Sequence, residues 1–569
     1  MRILRLGNPG RRLTVGLVTF CVLLLILGGR LVQLQGVDSG RYAAAAVSDR
    51  IHEYDLPAQR GQILDRDGNV LAYSVDARLV FADPSLIRKP HEVADALAPE
   101  LHMSAEQIYP KLVRSGRYVE LSRDVEPARA KRIMDLELPG ISTQEQQQRI
   151  YPAGDVGSAL VGFTKRDGHG ASGVEARYDR LLAGRTGTLV AEAGENGQVI
   201  PNGVHHRVEA VPGSSVRLTV SEDLQYVAQQ ALDEAVRSVG AKGGSIAVLD
   251  RQTAQVLAMA VSHSGDDDQR LLTDPAVSSV FEPGSANKIV TFAGAVEQGL
   301  IDPDTVLEVP GSIRVSDRII HDAWSHDVVP YTATGVLAKS SNVGTLMIAQ
   351  QLGQQRFYDY LRGFGLGTRT GVELPGESPG ILPPINQWSG STFGNLPIGQ
   401  GVSMTILQLA SMYQTVANDG VRVPPRIVQS VVDPDGRAHP SAAPRGVRVV
   451  SPGTAQTVRY MMQAVTQPGG TAPSAAIDGY LVAGKTGTAQ QPDPQTGRYT
   501  DHYWATFAGM APADNPQIVI AVMINDASGG QHGGQAAAPL FRRVMTYALK
   551  QRGVPPSGAP QTTFRLIAD

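Results

Sequence analysis

Between Leu13 and Gly29 the chain reads LTVGLVTFCVLLLILGG without a charged residue, and the apolar character continues through Leu31, Val32 and Leu34. A helix over 13–34 is long enough to cross a hydrocarbon core of about 30 Å. Arg2, Arg5, Arg11 and Arg12 precede it with no acidic residue, which predicts a cytoplasmic tail over 1–12 and an extracytoplasmic remainder. The competing reading is a cleaved signal peptide with an A-x-A site in Ala43–Ala46. That site lies far beyond Gly29, across Arg30, Asp38 and Arg41, so an uncleaved single-pass anchor is expected.

Past the apolar stretch the periodicity changes. Residues 36–213 mix short strand-like and helix-like patterns with many turns. Within them RGQILDRDGNVLAYS (60–74) reads as strand, Asp67-Gly68 turn, strand. Its acidic spacing superficially matches a calcium loop, but Gly68 falls two positions too early, so a structural turn is expected. Val211-Pro212-Gly213-Ser214-Ser215 reads as a boundary. After it come a strand (216–220), a helix from Glu222 to Val239, and two strands (245–250 and 255–261) joined by a turn at Arg251–Ala254. Amphipathic helices follow, and then the strand candidates 480–489, 502–511 and 517–525. Strands at both ends with helices between them predict one α+β sheet domain over 214–555, with a short tail at 556–569.

Composition narrows the function classes. With 569 residues there is material for two to four domains, and a formal net charge of −3 gives no basic stripe, which argues against a nucleic-acid protein. The single Cys21 lies inside the apolar span, so the exported part has no thiol. The histidine pairs His205-His206 and His321 with His326 lack a third ligand at metal spacing, so neither a metal nor a cofactor is expected. Trp388 and Trp504 read as core or groove wall, and Tyr503 as a residue that could face a cleft. Only nine of the 51 basic residues are lysine, which a GC-rich genome explains. Each lysine is still worth examining, because lysine can lose its proton when buried and arginine cannot.

Three segments could carry chemistry. In FEPGSANKIVTF (281–292), Pro283-Gly284 precedes a helix-forming stretch, and Ser285 and Lys288 fall on one helical face, three positions apart. An unprotonated lysine can take the proton of a serine hydroxyl, and a helix amino end favours an oxyanion. In VLAKSSNVGTLMIAQ, Ser340-Ser341-Asn342 is a second candidate, which taken alone reads as a helix cap. In YLVAGKTGTA, Gly487 could be a strand bulge, or it could admit a substrate backbone to an edge strand while Lys485 and the hydroxyls hold an anion. Each alone has an ordinary structural explanation.

Together, in this order, Ser-x-x-Lys, Ser-x-Asn and Lys-Thr-Gly form a known triple of acyl-serine enzymes. The chain resembles the penicillin-binding proteins. RGQILDRDG (60–68), RIYPAGDVGSALVGF (149–163) and GVEARYDRLLAGRTG (173–187) look like pedestal motifs of the class B branch, while LPIGQGVSMTILQLA (396–410) and GGQAAAPLF (533–541) resemble its transpeptidase domain. The resemblance implies a pedestal, or dimerisation-type, domain over 36–213 and a serine β-lactamase-like transpeptidase domain with a five-stranded antiparallel sheet. It implies Ser285 as the acylated nucleophile, Lys288 as its base, Ser340 as a proton relay and Asn342 as a holder of the substrate amide. Lys485, Thr486, Gly487 and Thr488 would bind the terminal carboxylate, and the backbone N–H groups of Ser285 and Thr488 would form the oxyanion hole. For Lys288 to sit neutral, burial and nearby Lys485 would have to lower its pKa.

The implied activity is a peptidoglycan D,D-transpeptidase acting on D-Ala-D-Ala stem peptides and inhibited by β-lactams. The Asn in Ser-Ser-Asn-Val-Gly resembles the division-specific, septal subgroup. Residues 36–213 do not show glycosyltransferase motifs, so a membrane polymerase of the shape-elongation-division-sporulation type, with other division proteins, is the expected partner. Two alternatives share the motifs: a hydrolase (D,D-carboxypeptidase or β-lactamase), and a non-catalytic β-lactam sensor or division scaffold. The long pedestal and anchor weigh against the first. The short cytoplasmic segment and intact motifs weigh against the second.

Overall fold

A computed structural model describes residues 9–41, 50–192, 205–264, 272–316, 318–493, 495–527, 532–558 and 562–568. It divides into two compact units, one formed by Met1–Gln59 with Arg185–Val211 and the other by Arg60–Gly184 with Pro212–Asp569.

The first unit carries helix α1, Pro9–Val32, followed by a π-helical turn over Gln33–Val37. The helix starts four residues before the uncharged stretch and exposes its apolar side chains all round, as expected of a span whose solvent is lipid. Its two hydroxyls return to the helix backbone, Thr14 Oγ1 donating to Gly10 O at 2.9 Å and Thr19 Oγ1 to Val15 O at 2.8 Å. That removes their need for water. The rest of the unit is a three-stranded antiparallel sheet of Ile51–Leu56, Gly187–Glu192 and His205–Val208.

In the second unit, residues 63–150 and 215–440 contribute to one seven-stranded mixed sheet. Ile63–Leu64 lies parallel to Ser215–Leu218, which pairs in turn with Val428–Val432. Before this sheet enters its hairpin, Asp65 Oδ1 accepts the backbone N–H groups of Asp67, Gly68 and Asn69, each at 2.8 Å. The acidic run is thus the structural turn its spacing predicted. Nearby, Glu175 is fully buried and accepts from Arg60 at 2.6 Å and Arg149 at 2.7 Å, while Arg60 also reaches Asp179 at 2.7 Å.

The centre of this unit is a five-stranded sheet. In chain order its elements are α2 (Glu222–Ser238), β1 (Gly243–Asp250), β2 (Val256–His263), α3 (Lys288–Glu297), α4 (Ala333–Lys339), α5 (Asn342–Leu352), α6 (Ile406–Ala417), β3 (Ala483–Pro492), β4 (Tyr499–Ala511), β5 (Ile518–Asn525) and α7 (Gly533–Gln551). The strand order is β2-β1-β5-β4-β3 and every pairing is antiparallel. Antiparallel sheets often keep one face wet, which leaves a polar residue at every second position. Here β1 and β5 are buried along nearly their whole length, because helices cover both faces. Ile246, Val248, Val522 and Ile524 pack with Leu232 of α2 and Phe541 of α7. Their alternating neighbours Ala247, Leu249, Val519 and Ala521 pack with Leu409 and Met412 of α6. The strand β3 is left as an edge, with Lys485, Thr486 and Thr488 on it.

Candidate active site

Ser285 lies in a single 3₁₀ turn, Gly284–Asn287, that runs directly into α3. The turn is braced on several sides. Phe281 and Met404 exchange backbone hydrogen bonds at 3.0 and 2.9 Å, Gly284 N donates to Gly399 O at 3.1 Å, and the buried Tyr413 hydroxyl donates to Ala286 O at 3.0 Å. Glu282 accepts from Gly401 N at 2.9 Å and from the Tyr499 hydroxyl at 3.1 Å, and burial holds its carboxyl above the usual carboxylate range.

Two glycines decide how closely this turn meets the sheet. Gly284 has φ +53°, a left-handed conformation, and a Cβ there would fall 2.7 Å from Thr488 O. A Cβ on Gly487 would fall 2.2 Å from both Pro283 O and Thr506 Oγ1. Gly487 pairs with Thr506 in regular register, and the β3 irregularity comes later, between Gln490 and Pro492. The bulge reading of Gly487 is therefore replaced by close packing of edge strand against serine turn.

The Ser-Ser-Asn segment joins α4 to α5. Ser340 closes α4 in the left-handed region at φ 61°, and Ser341 caps α5 by accepting from Gly344 N at 2.9 Å. The cap reading thus belongs to Ser341 and leaves Ser340 free to face the lysines. Lys288 Nζ donates to Ser340 O at 2.6 Å and to Asn342 Oδ1 at 2.8 Å, and lies 3.4 Å from Ser340 Oγ. From the other side Lys485 Nζ donates to Ser340 Oγ at 2.9 Å and to Thr486 Oγ1 at 3.2 Å. Thr486 in turn shares a 2.9 Å hydrogen bond with Thr471.

Both amines are fully buried, at 0% exposure. Desolvation disfavours the charged form of each. It pulls Lys288 down to about 7, against the opposing pull of the Asp322 carboxylate. It pulls Lys485 well below its ordinary value, with the neighbouring Lys288 acting in the same direction. The expected charge effect between the two lysines thus falls on Lys485, whereas the charge acting on Lys288 is the carboxylate of Asp322. No hydrogen bond joins Ser285 Oγ to Lys288 among the described residues.

Ser285, Ser340, Asn342, Thr486 and Thr488 open into one cleft of about 1090 Å³. Trp324, Gln400, Tyr503 and His532 form its walls. Tyr503 faces the cleft as suggested, Trp504 packs against the core, and Trp388 stacks with Phe393. Sequence reasoning missed Asp322, Trp324, Thr471 and the Glu282–Tyr499 pair. Asp322 lies in HDAWSH, where the histidines drew attention as metal ligands and the carboxylate between them did not.

A serine turn and a lysine-bearing edge strand of a helix-covered antiparallel sheet, meeting at a shared cleft, are the arrangement of an acyl-serine enzyme. The penicillin binding protein transpeptidase domain model matches residues 244–546, and the penicillin-binding protein dimerisation domain model matches 55–218. The chain belongs to the class B penicillin-binding proteins. It is 44% identical to the penicillin-binding protein PbpB of Mycolicibacterium smegmatis, over 97% of this chain and 92% of that one. It is 33% identical to the peptidoglycan D,D-transpeptidase FtsI of Escherichia coli, over 94% and 91%. Among solved structures, penicillin binding protein 3 of Mycobacterium tuberculosis complexed with aztreonam is 42% identical and superposes with a TM-score of 0.72, covering 91% of this chain and all of that one.

Proposed function

We propose that the chain is a serine-type peptidoglycan D,D-transpeptidase of cell division, anchored by α1 with its amino terminus in the cytoplasm. The observation that carries the chemistry is Ser340 Oγ held between two buried amines, 3.4 Å from Lys288 and 2.9 Å from Lys485, beside a cleft that Ser285 lines.

Ser285 Oγ attacks the carbonyl of the penultimate D-Ala, and neutral Lys288 takes its proton. A base with pKa near the working pH serves this step best. Backbone N–H groups of Ser285 and Thr488 receive the oxyanion. Ser340 passes a proton to the departing D-Ala nitrogen as the peptide bond breaks, leaving an ester on Ser285. An acceptor stem-peptide amine then attacks the ester, loses its proton along the same relay, and frees the serine. Asn342 holds the donor amide. Lys485, Thr486 and Thr488 hold its carboxylate, whose charge restores the proton on Lys485. A β-lactam acylates Ser285 in place of the donor peptide.

The pedestal, over 36–213, and the anchor serve partners, foremost a membrane polymerase of the shape-elongation-division-sporulation type. The support is that every apolar face of α1 is open to a second transmembrane helix. Ser285→Ala should abolish covalent labelling by a fluorescent penicillin while the protein stays folded. Persistent labelling would mean another nucleophile.

A further inference from the structure

The carboxylate of Asp322, fully buried, receives four donors. Oδ1 accepts the backbone N–H groups of Asn342 and Val343, the latter at 3.0 Å. Oδ2 accepts the Ser341 hydroxyl at 2.7 Å and pairs with His326 Nε2 at 3.0 Å. The other ring nitrogen, Nδ1, lies 2.6 Å from Asp327 O. A carboxylate and a carbonyl both accept, so an imidazole placed between them satisfies both only when each of its nitrogens carries a proton, which makes it a cation. His326 also stacks on Trp324, with ring centroids 5.5 Å apart, and Trp324 is a wall of the cleft.

This places His326 at the end of a continuous chain of contacts. It holds Asp322, and Asp322 ties down the amino end of α5. The turn at that end presents Ser340 O and Asn342 Oδ1 to Lys288 Nζ. We propose that His326 is a positioning residue for acyl transfer: it neutralises and orients Asp322 beneath the Ser340–Asn342 turn, so that the carboxylate fixes the turn without holding a proton on Lys288. The proposal rests on the reading of Lys288 as the base.

The electrostatics agree in sign. An uncompensated carboxylate beside Lys288 favours the ammonium form, and Asp322 acts on Lys288 in that direction. A cationic His326 offsets that field. Burial works against the imidazolium, but Asp322 and the Asp327 carbonyl outweigh it and hold His326 above its ordinary value. The other titratable groups around this cluster are His321, Asp327 and Tyr331 on the same segment, Lys339 at the end of α4, Lys288 on α3 and Lys485 on β3.

The test is the rate of acylation of the full-length chain by a fluorescent penicillin, followed from pH 5.5 to 9. His326→Gln keeps a donor toward Asp322 but never carries charge. It should move the acid limb of the profile upward by about half a pH unit, a roughly threefold lower rate below the limb, and converge on the unsubstituted protein at high pH. His326→Ala, which removes the donor as well, should also lower the high-pH plateau. A limb at the same pH in His326→Gln overturns the proposal, whether the rate is unchanged or uniformly reduced, because a purely structural histidine would move only the amplitude.

A second measurement needs no change at His326. The emission of Trp324, taken as the difference between the unsubstituted protein and Trp324→Phe, should be quenched on acidification with a midpoint above about 6.5. A flat difference overturns the proposal. Ser285→Ala separates the two levels: labelling that persists there sinks the reading of the site and this inference with it. Labelling confined to Ser285 with an unshifted limb sinks the inference alone.

Discussion

Lys485 and Ser340, separated by 145 residues of chain, are joined by a 2.9 Å hydrogen bond from amine to hydroxyl. The bond links the edge of the sheet to the α4–α5 turn, so in the proposed mechanism the hydroxyl that relays protons is oriented by the amine that holds the donor's carboxylate. The proposed roles would then couple substrate binding and proton relay through one oxygen. Lys485→Ala should raise the donor concentration needed for half-maximal rate and also lower the maximal rate. Steady-state kinetics on a D-Ala-D-Ala peptide or thioester would measure the split, and a change in KM alone would show the hydroxyl to be oriented without the amine.

Lys288 should tolerate no other base-poor cation. Arginine keeps the charge but cannot lose it, so Lys288→Arg is expected to fall by about 10²–10⁴ in acylation rate, nearly as far as Lys288→Ala. Because burial lowers Lys288 to about 7, the neutral form that accepts the proton accumulates as pH rises through that value. The acylation rate should climb across the same interval and level off above it. A rate that falls between pH 6 and 8 would contradict the assignment.

Gly487→Ala places a methyl carbon 2.2 Å from Pro283 O and from Thr506 Oγ1, one backbone and one buried. Neither can give way without displacing the serine turn. Overpacking of this kind costs about 1–3 kcal/mol or more. The variant should melt several degrees lower and acylate slowly, and a thermal shift assay beside penicillin labelling would read both.

Glu175→Ala should be costly far from the cleft. The substitution takes from the buried Arg149 its carboxylate and leaves Arg60 only its ion pair with Asp179. Breaking a buried pair in this way costs about 3–5 kcal/mol. Stability should drop by a large fraction of the total, while the protein that remains folded still labels at Ser285 with near-normal kinetics.

Much of this arrangement could be read from the residues alone. The apolar amino-terminal helix, the α2 helix and all five strands of the central sheet announced themselves by uncharged length, by periodicity and by turn residues, which are local signals. The three motifs were legible because their order is specific even though each is ambiguous. What escaped was whatever depends on distant partners. Asp322 looks like any acidic residue until folding brings it to the Asn342 and Val343 amides. Gly487 reads as an irregular strand position, because the Pro283 carbonyl that requires it is two hundred residues away. The sheet pairing of Ile63–Leu64 with Ser215–Leu218 crosses a Pro-Gly stretch that has every local mark of a boundary.

The mutual approach of Gly284 and Gly487 also bears on how drug resistance could arise. A Cβ at Gly284 or Gly487 would meet backbone across the contact, and both lysines are fully buried, so substitution at these positions disturbs the serine turn itself. The cleft walls at Trp324, Gln400, Tyr503 and His532 line the same cavity without bracing the serine turn, so substitutions that alter inhibitor binding are expected there first. Inhibitors that draw their affinity from the floor of the cleft leave the enzyme fewer routes of escape than those that lean on its sides.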